Sequence, residues 1–146
     1  MSDTHLRRAI ALAVEAGERG NRPFGAVLVG ADGTVLAEGR NEVASAGDVT
    51  AHAELVAIRA ASTAEGATMY ASGEPCPMCS AAMVWAGIAR IVFGASEPEF
   101  SKLLEGGPRF SLRCADVVAA ADVSITVEGP VDESEALVPF RPVRAK

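Results

Sequence analysis

Residues 68–95 decide the fold, and they read TMYASGEPCPMCSAAMVWAGIARIVFGA. The pattern predicts a strand over 68–72, a Gly-Glu-Pro turn, a helix that begins at Cys76 and ends before Gly87, and a second strand over 90–95. Two strands joined by a helix pair in parallel, and the helix covers one face of their sheet. This stretch therefore predicts an α/β protein.

Apolar periodicity and turn residues predict further elements on both sides of this unit. Helices alternate with single strands after an initial hairpin, in the order α-β-β-α-β-α-β-α-β. We therefore expect a three-layer α/β/α sandwich built on a five-stranded mixed sheet. Before residue 68 we expect a first helix that begins at Leu6 and ends near Gly17, strands over 24–29 and 34–37, and a helix over 51–64. Asp48 or Thr50, near the start of that last helix, is its candidate cap. After residue 95 we expect a helix over 112–120 and a strand over 123–127.

The size and charge of the chain limit the classes of function. The 146 residues, of which 49% are hydrophobic and 22% charged, fit one globular domain over 1–146. The net charge is −6 and no basic arm is present, so the composition favours a small or neutral substrate over a nucleic acid. The longest apolar stretch, Ala81 to Ala89, is too short to cross a membrane, and the N-terminal region does not resemble a signal peptide. We therefore expect a cytoplasmic protein without a membrane partner.

Several common catalytic patterns are missing from the sequence. Its two histidines are His5 and His52, which excludes a three-histidine zinc site and an H-E-x-x-H site. No G-x-G, no Gly-Lys pair and no G-x-S-x-G occurs, so the signals of dinucleotide cradles, P-loops and nucleophile elbows are absent. Two short motifs at predicted helix starts remain, His52-Ala53-Glu54 and Pro75-Cys76-Pro77-Met78-Cys79.

The two cysteines of the second motif are spaced like metal ligands. Cys76 and Cys79 share one face of the predicted helix, and the positive end of the helix dipole favours their thiolate forms. Together with His52 they form a set of one nitrogen and two sulfurs, which suits tetrahedral zinc and leaves one position open, as in catalytic sites. A closed structural site is the alternative, and it would have to recruit Cys114 or His5.

Glu54 has the position of a proton carrier. It follows His52 by two residues, which places it about 200° around a regular helix from that residue. The carboxylate therefore suits a proton shuttle better than a second ligand on the same face. Zinc lowers the pKa of a bound water from about 15.7 to about 7, and a nearby carboxylate can pass the released proton to a leaving group.

The two motifs together resemble a known signature. H-x-E followed by P-C-x-x-C marks zinc-dependent nucleobase deaminases, and the sequence carries both halves in that order. The chain resembles the cytidine and deoxycytidylate deaminase superfamily, in particular the branch of guanine deaminases, fungal-type cytosine deaminases and tRNA adenosine deaminases. The resemblance covers roughly residues 5–95. The stretches that carry it are PFGAVLV at 23–29, Asn41, TAHAE at 50–54 and EPCPMC at 74–79.

The resemblance implies a role for the residues of both motifs. It implies that His52, Cys76 and Cys79 bind one zinc ion per chain at the N-termini of two helices, with water or hydroxide as the fourth ligand. It implies that Glu54 is the general acid and base. The reaction would be a hydrolytic deamination, in which Glu54 protonates a ring nitrogen and then the amine, and ammonia leaves.

The resemblance also implies three contacts to the substrate. Asn41 would hydrogen-bond the ring of the base, while the ring of Phe24 and the backbone of Ala51 would help to form the pocket. The sequence Pro23-Phe24-Gly25-Ala26 is more similar to guanine deaminases than to the tRNA enzymes, which usually have valine in place of Phe24. These contacts therefore favour a free base.

The sequence after Gly94 departs from the patterns of the guanine deaminases and the tRNA enzymes, in the region that should govern substrate choice. Glu97 and Glu99 lie there, either as substrate contacts or as solvated charges. We expect the substrate to be a free nucleobase or close analogue, guanine-, isoguanine-, cytosine- or azacytosine-like. A tRNA-specific adenosine deaminase, which forms inosine in the anticodon loop, is one alternative, and a zinc-stabilised binding module without activity is another.

Members of this branch are commonly homodimers, and we expect the same here. The apolar segment Met83-Val84-Trp85 would supply either core packing or a subunit interface. The tail from Val138 to Lys146, with Phe140 between prolines, is expected to be irregular and to cover the pocket of its own or a partner subunit.

Overall fold

The strands form one five-stranded sheet in the computed structural model, which describes residues 3–141. Residues 142–146, the end of the tail that we expect to cover the pocket, lie outside the described residues. The strands are β1 (Gly25–Val29), β2 (Val35–Arg40), β3 (Thr68–Gly73), β4 (Arg90–Ala95) and β5 (Thr126–Glu128).

Helices precede, separate and follow these strands. None of those within residues 3–141 is long and apolar enough to cross a membrane. They are α1 (Thr4–Glu18), α2 (Val43–Ala46), α3 (Ala53–Ala60), α4 (Pro77–Ala86), α5 (Glu97–Phe100), α6 (Cys114–Ala119), α7 (Glu133–Ala136) and a single 3-10 turn at Val138–Phe140.

The sheet is mixed, as the sequence predicts. Its strand order is β2-β1-β3-β4-β5, in which β1 is antiparallel to β2 and β3, while β3, β4 and β5 are parallel to one another. The predicted crossover unit is β3, α4 and β4, and Gly87 ends α4 in a left-handed conformation with φ of 78°.

Alternate residues of each strand face different helices. On one face, Val27 and Tyr70 pack in a cluster with the apolar side of α1. On the other face, Leu28 and Met69 pack in a cluster with residues of α3, α4 and α6. Because side chains alternate along a strand, the sheet is the middle layer between two helical layers, and the α/β/α prediction is confirmed.

Two glycines allow helices to lie directly on the sheet. A Cβ atom at Gly25 would lie 2.2 Å from the carbonyl oxygen of Ala9 in α1, and one at Gly39 would lie 2.1 Å from that of Ala53 in α3. Glycine is therefore required at both close approaches. Gly39 brings the first turn of α3, which follows His52, against β2.

The start of α3 differs from the prediction. The helix spans Ala53–Ala60 instead of 51–64, and His52 occupies its N-cap position in place of Asp48 or Thr50. The Asp48 carboxylate instead accepts hydrogen bonds from the backbone N–H and the hydroxyl of Thr50. The predicted cap is wrong because this local turn competes for Asp48.

The C-terminal elements also differ from the prediction. α6 begins at Cys114 because Asp116 accepts the backbone N–H of Arg113 at 2.9 Å and caps the helix there. β5 begins at Thr126 rather than at 123. α7 and the 3-10 turn that begins the tail follow β5, and the sequence does not predict them because elements of three or four residues are too short to show a helical period.

Candidate metal centre and active site

The three predicted metal ligands lie together at the starts of α3 and α4. His52 is the N-cap residue of α3, Cys76 is the N-cap residue of α4, and Cys79 lies in the first turn of α4. The Nδ1 atom of His52 lies 3.5 Å from the Sγ atom of Cys76 and 3.6 Å from the Sγ atom of Cys79. All three ligand atoms lie within 4.8 Å of one another.

These distances fit a tetrahedral zinc ion. Zn–N bonds of about 2.0 Å and Zn–S bonds of about 2.3 Å, set at tetrahedral angles, separate nitrogen from sulfur by about 3.5 Å. A donor set of one imidazole and two thiolates also suits zinc. Among residues 3–141 the cluster consists of His52, Cys76 and Cys79, and three protein ligands leave a fourth position open.

The start of α4 favours the thiolate form of one of the two sulfurs, that of Cys76. Pro77 occupies the first helical position, and the backbone N–H of Cys79 donates to Sγ of Cys76 at 3.5 Å. Hydrogen bonding from Cys79, together with that from His52, lowers the pKa of Cys76 to about 4. The hydrogen bond shared with Cys76, together with burial, raises the pKa of Cys79. The same Cys76 contact raises the pKa of His52, while burial and, less strongly, the positive charge of Arg22 act in the opposite direction.

The remaining cysteine and histidine do not join the cluster. Cys114 is buried at the start of α6, and burial raises the pKa of its thiol to about 11. His5 lies in α1, where its ring contacts that of Tyr70 at a centroid distance of 5.2 Å. Within the part of the chain that the structure describes, a closed site with four protein ligands is therefore not formed.

Glu54 lies in the first turn of α3, two residues after His52. The residue is buried and only 6% exposed. Burial, followed by the negative charge of Cys76, raises the pKa of its carboxyl to about 7. A carboxyl group with such a pKa can both accept and donate a proton near neutral pH.

Asn41, the predicted contact to the ring of the base, is buried directly after β2. Its Oδ1 atom accepts the backbone N–H of Val43 at 3.0 Å, and its own backbone N–H donates to the carbonyl oxygen of Phe24. Its Nδ2 atom has no hydrogen-bond partner among residues 3–141. The amide is therefore held through its oxygen, and its N–H groups stay available for a hydrogen bond.

Ala51 is buried before His52, and both of its backbone groups are already hydrogen-bonded. Its N–H donates to the carbonyl oxygen of Asp48 at 3.0 Å, and its carbonyl oxygen accepts the N–H of Glu42 at 2.9 Å. A carbonyl oxygen has two lone pairs and can accept a second hydrogen bond, whereas the N–H is already used. Of the two backbone groups of Ala51, the carbonyl oxygen is thus the one that can make the predicted contact to the base.

Phe24 is half-buried in an aromatic cluster that includes the tail. Its ring meets those of Phe100 and Phe140 edge-on, with centroid distances of 5.1 Å to each. The rings of Phe100 and Phe140 stack on each other at 5.3 Å. Gly73 makes room for this cluster, because a Cβ atom there would lie 2.8 Å from the Phe24 ring. The described part of the tail therefore packs on Phe24 of its own chain.

The sequence pattern does not reveal an ion pair that a buried carboxylate, two residues before Cys76, forms with an arginine. Glu74 lies between β3 and α4, its side chain is 3% exposed, and it pairs with Arg113 at 2.9 Å. The sequence does carry one signal, a glutamate between a predicted buried strand and a Pro-Cys turn. A carboxylate buried there needs a hydrogen-bonding or cationic partner. The sequence does not identify Arg113 as that partner, because the two residues are 39 positions apart.

Glu97 and Glu99 of α5 are both ion-paired. Two hydrogen bonds of 2.9 Å join the Glu97 carboxylate to Arg109, and Lys102 pairs with Glu99 at 3.0 Å. Hydrogen bonding from Arg109 lowers the pKa of Glu97. Each carboxylate is already held by a nearby cation, which favours their interpretation as surface charges over substrate contacts.

Comparisons with known proteins place this site in a family. The family model of the cytidine and deoxycytidylate deaminase zinc-binding region matches residues 1–95. A probable cytosine deaminase from Schizosaccharomyces pombe is 37% identical over 144 residues, which cover 94% of this chain and 88% of that protein. Guanine deaminase from Bacillus subtilis is 47% identical over 102 residues, which cover 65% of this chain and 64% of that protein.

A tRNA-specific adenosine deaminase from Agrobacterium fabrum is equally similar, with 44% identity over 114 residues that cover 73% of this chain and 74% of that protein. The solved structure of guanine deaminase from Bacillus subtilis matches with a TM-score of 0.65 and 40% sequence identity, over 70% of this chain and 69% of that chain. The match to the family model includes both motifs and ends at Ala95, the last residue of β4. The chain therefore belongs to the cytidine and deoxycytidylate deaminase family.

Proposed function

We propose that this protein is a zinc-dependent hydrolytic deaminase of a free nucleobase or a close analogue, of the guanine, isoguanine, cytosine or azacytosine type. One observation carries the proposal. The ligand atoms of His52, Cys76 and Cys79 lie together at the start of α3, the helix whose first turn holds the buried carboxyl of Glu54. A structural metal site does not require a buried carboxyl next to its ligands, whereas a hydrolytic site requires a proton carrier there.

Glu54 moves the protons of this reaction. Zinc held by the three ligands would supply Lewis acidity and the means to activate water near neutral pH. Glu54 takes a proton from the attacking water and delivers it to a ring nitrogen. It then takes the proton of the hydroxyl group now on the ring carbon and delivers it to the exocyclic amine, so that the C–N bond breaks, a carbonyl forms and ammonia leaves. The ring carbon thus gains one oxygen and loses its amine. The burial of Glu54 limits proton exchange with bulk water during these steps.

Groups from three segments hold the base. The Nδ2 atom of Asn41 donates to an acceptor of the ring, and the carbonyl oxygen of Ala51 accepts a hydrogen bond from the exocyclic amine. The ring of Phe24 forms an apolar wall. Guanine and cytosine both present an amine beside a ring nitrogen, so these contacts suit either base.

A tRNA anticodon loop is the alternative substrate. The 44% identity to the Agrobacterium fabrum tRNA enzyme supports that alternative about as strongly as the 47% identity to guanine deaminase supports a free base. The net charge of −6 favours the free base, because tRNA binding depends on contacts between phosphates and Lys or Arg. We therefore propose a small-molecule partner, and the cytoplasm as the compartment that keeps the ligand thiols reduced.

We also propose a homodimer formed through α4. Met83 of this helix is fully buried in the core, whereas Trp85 is 89% exposed and Met78 is also exposed. An exposed tryptophan on a largely apolar helix is a typical interface anchor. Light scattering at micromolar concentration should give twice the mass of the chain, and Trp85→Gln should reduce it to that of one chain. A monomeric unmodified protein would contradict this proposal.

Ammonia release from a panel of bases tests the proposed activity. The panel contains guanine, isoguanine, cytosine, azacytosine and adenine, their nucleosides, and a tRNA anticodon stem-loop, each offered to zinc-loaded protein. Release from a free base supports the proposal and identifies the substrate. Release from the stem-loop alone, with binding that weakens steeply as salt rises, would establish the alternative. Release from none of them would indicate a zinc-stabilised binding module.

A further inference from the structure

The loop of residues 101–113, between α5 and α6, is fastened to a segment that carries a candidate pocket residue. Near its middle, the Nη2 atom of Arg22 donates hydrogen bonds to the carbonyl oxygens of Glu105 and Gly106, at 3.2 and 3.0 Å. Arg22 lies two positions before Phe24, the predicted wall of the base pocket. The middle of the loop is therefore held against the chain that enters β1.

The end of the loop is fastened to the segment that carries the cysteine ligands. The Nε atom of Arg113 donates to both carboxylate oxygens of Glu74 at 2.9 Å, and Nη2 lies 2.9 Å from Oε1. The Oε1 atom also accepts the backbone N–H of Glu97, the first residue of α5, at 2.9 Å. One carboxylate, two residues before Cys76, thus joins the starts of α5 and α6 and so holds both sides of the loop.

Burial distinguishes this pair from an exposed ion pair of the same loop. The side chains of Glu74 and Arg113 are 3% and 40% exposed, whereas those of Glu99 and Lys102 are 43% and 67% exposed. Exposed pairs contribute little because water and salt screen them. A buried carboxylate that loses its cation keeps an uncompensated charge, so the loop is held far more firmly at Arg113 than at Lys102.

We propose that Glu74 and Arg113 are positioning residues, which hold loop 101–113 against the segments that carry Phe24 and Cys76 and thereby strengthen binding of the base. The inference rests on the proposed function of that site. Glu54 and the metal ligands lie on α3 and α4, outside this loop. A loosened loop should therefore weaken substrate binding, while the chemistry of the bound substrate changes less.

Variants that break the pair test the inference in the zinc-loaded protein. Glu74→Gln and Arg113→Gln are made singly and together, and Lys102→Gln is the matched control that breaks the exposed pair. Trypsin cleavage after Arg109 reports loop opening and does not depend on turnover. We expect about 10-fold faster cleavage in both single variants, because cleavage follows the population of the open loop. The control should cleave there at the unmodified rate.

Kinetics with the base that yields ammonia separate positioning from a merely structural role. We expect KM to rise about 10-fold in each single variant and kcat to change by less than about 3-fold. The double variant should match the single variants, because both residues act through one contact. Arg113→Lys keeps the charge but loses the planar fork, and it should recover part of the change in KM.

Two sets of results overturn the proposal. One is an unchanged cleavage rate in the single variants, or a KM shift no larger than that of Lys102→Gln. The other is a loss of zinc or a fall in kcat as large as the rise in KM, which would assign the pair to the metal centre. If the unmodified protein turns over no base, the proposed function fails instead, and the cleavage rates still decide whether the pair holds the loop.

Discussion

The ligand cluster and loop 101–113 are built in different ways. The cluster consists of two short motifs, His52-Ala53-Glu54 and Cys76 to Cys79, set at the starts of two helices. The free N–H groups and the dipole of a helix start are properties of the backbone, so local sequence is enough to create them. Loop 101–113 is held by side chains that are distant in sequence, above all Glu74 and Arg113. The chemistry of this protein is thus encoded locally, whereas the structure near its pocket depends on long-range contacts.

Removal of a metal ligand tests the local half of this comparison and should have the largest effect. Cys76→Ser should lower zinc affinity by more than about 100-fold, because changes to outer-shell partners alone lower it 10- to 100-fold. The measurement is zinc content after dialysis against a chelator of known affinity. Cys114→Ala is the control, since it removes a cysteine that lies outside the cluster. Full zinc content in Cys76→Ser would show that the ligand assignment is wrong.

The contrast also explains which features the sequence could predict. β4 was predictable to the residue, because the apolar run Ile91–Phe93 directly follows Arg90 and the break at Gly87. The placement of His52 and Cys76 at helix starts was predictable for the same local reasons. The partner of Glu74 was not, because only the folded chain brings Arg113 to that carboxylate.

The aromatic cluster and the start of α3 were predictable only in part. Phe140 closes on Phe24 and Phe100 from the far end of the chain, and periodicity carries no information about such a contact. The cap of α3 was predicted at Asp48 or Thr50, but the hydrogen bonds between those two residues left His52 as the N-cap residue. Local rules thus failed where two local structures competed for one side chain.

Truncation of the tail aromatic tests the long-range half of the comparison. Phe140→Ala should lower the free energy of unfolding by about 3 kcal/mol, because it leaves a cavity against two rings. Phe140→Leu is the control and should lower it by about 1 kcal/mol, because most of the apolar volume remains. Denaturant unfolding measures both changes. Equal stability of Phe140→Ala and the unmodified protein would mean that the tail does not pack on this cluster.

A change at Gly39 tests whether close helix packing places the cluster. Gly39→Ala should lower the free energy of unfolding by about 2 kcal/mol, because the new Cβ would lie 2.1 Å from the carbonyl oxygen of Ala53 and push α3 away. It should also weaken zinc binding through His52. Gly30→Ala is the control, since its Cβ would meet only side chains, the flexible carboxylate of Asp32 at 3.2 Å and the methyl groups of Leu36 at 3.5 and 3.6 Å. Similar unfolding curves for the two variants would contradict this role of Gly39.

The smallest effect is expected from the exposed pair of Glu97 and Arg109. Arg109→Gln should raise the pKa of Glu97 back toward its ordinary value, because hydrogen bonding from Arg109 is the main cause of its low pKa. A lowered carboxyl pKa stabilises the fold above the ordinary pKa of glutamate, and this contribution disappears as the pH falls through the lowered value. NMR titration measures the shift, and Tm should not change measurably near neutral pH. A large fall in Tm would contradict the small contribution to stability that is expected from this pair.

The most direct test of the central claim compares ammonia release by the zinc-loaded protein with release by its Glu54→Gln variant at equal zinc content. Glu18→Gln, which changes an exposed glutamate of α1, is the matched control. We expect release from a free base by the unmodified protein and the control, and a loss of about 10²- to 10⁴-fold in Glu54→Gln. Equal release by Glu54→Gln would contradict the account, and so would a protein that binds one zinc ion and releases ammonia from no base.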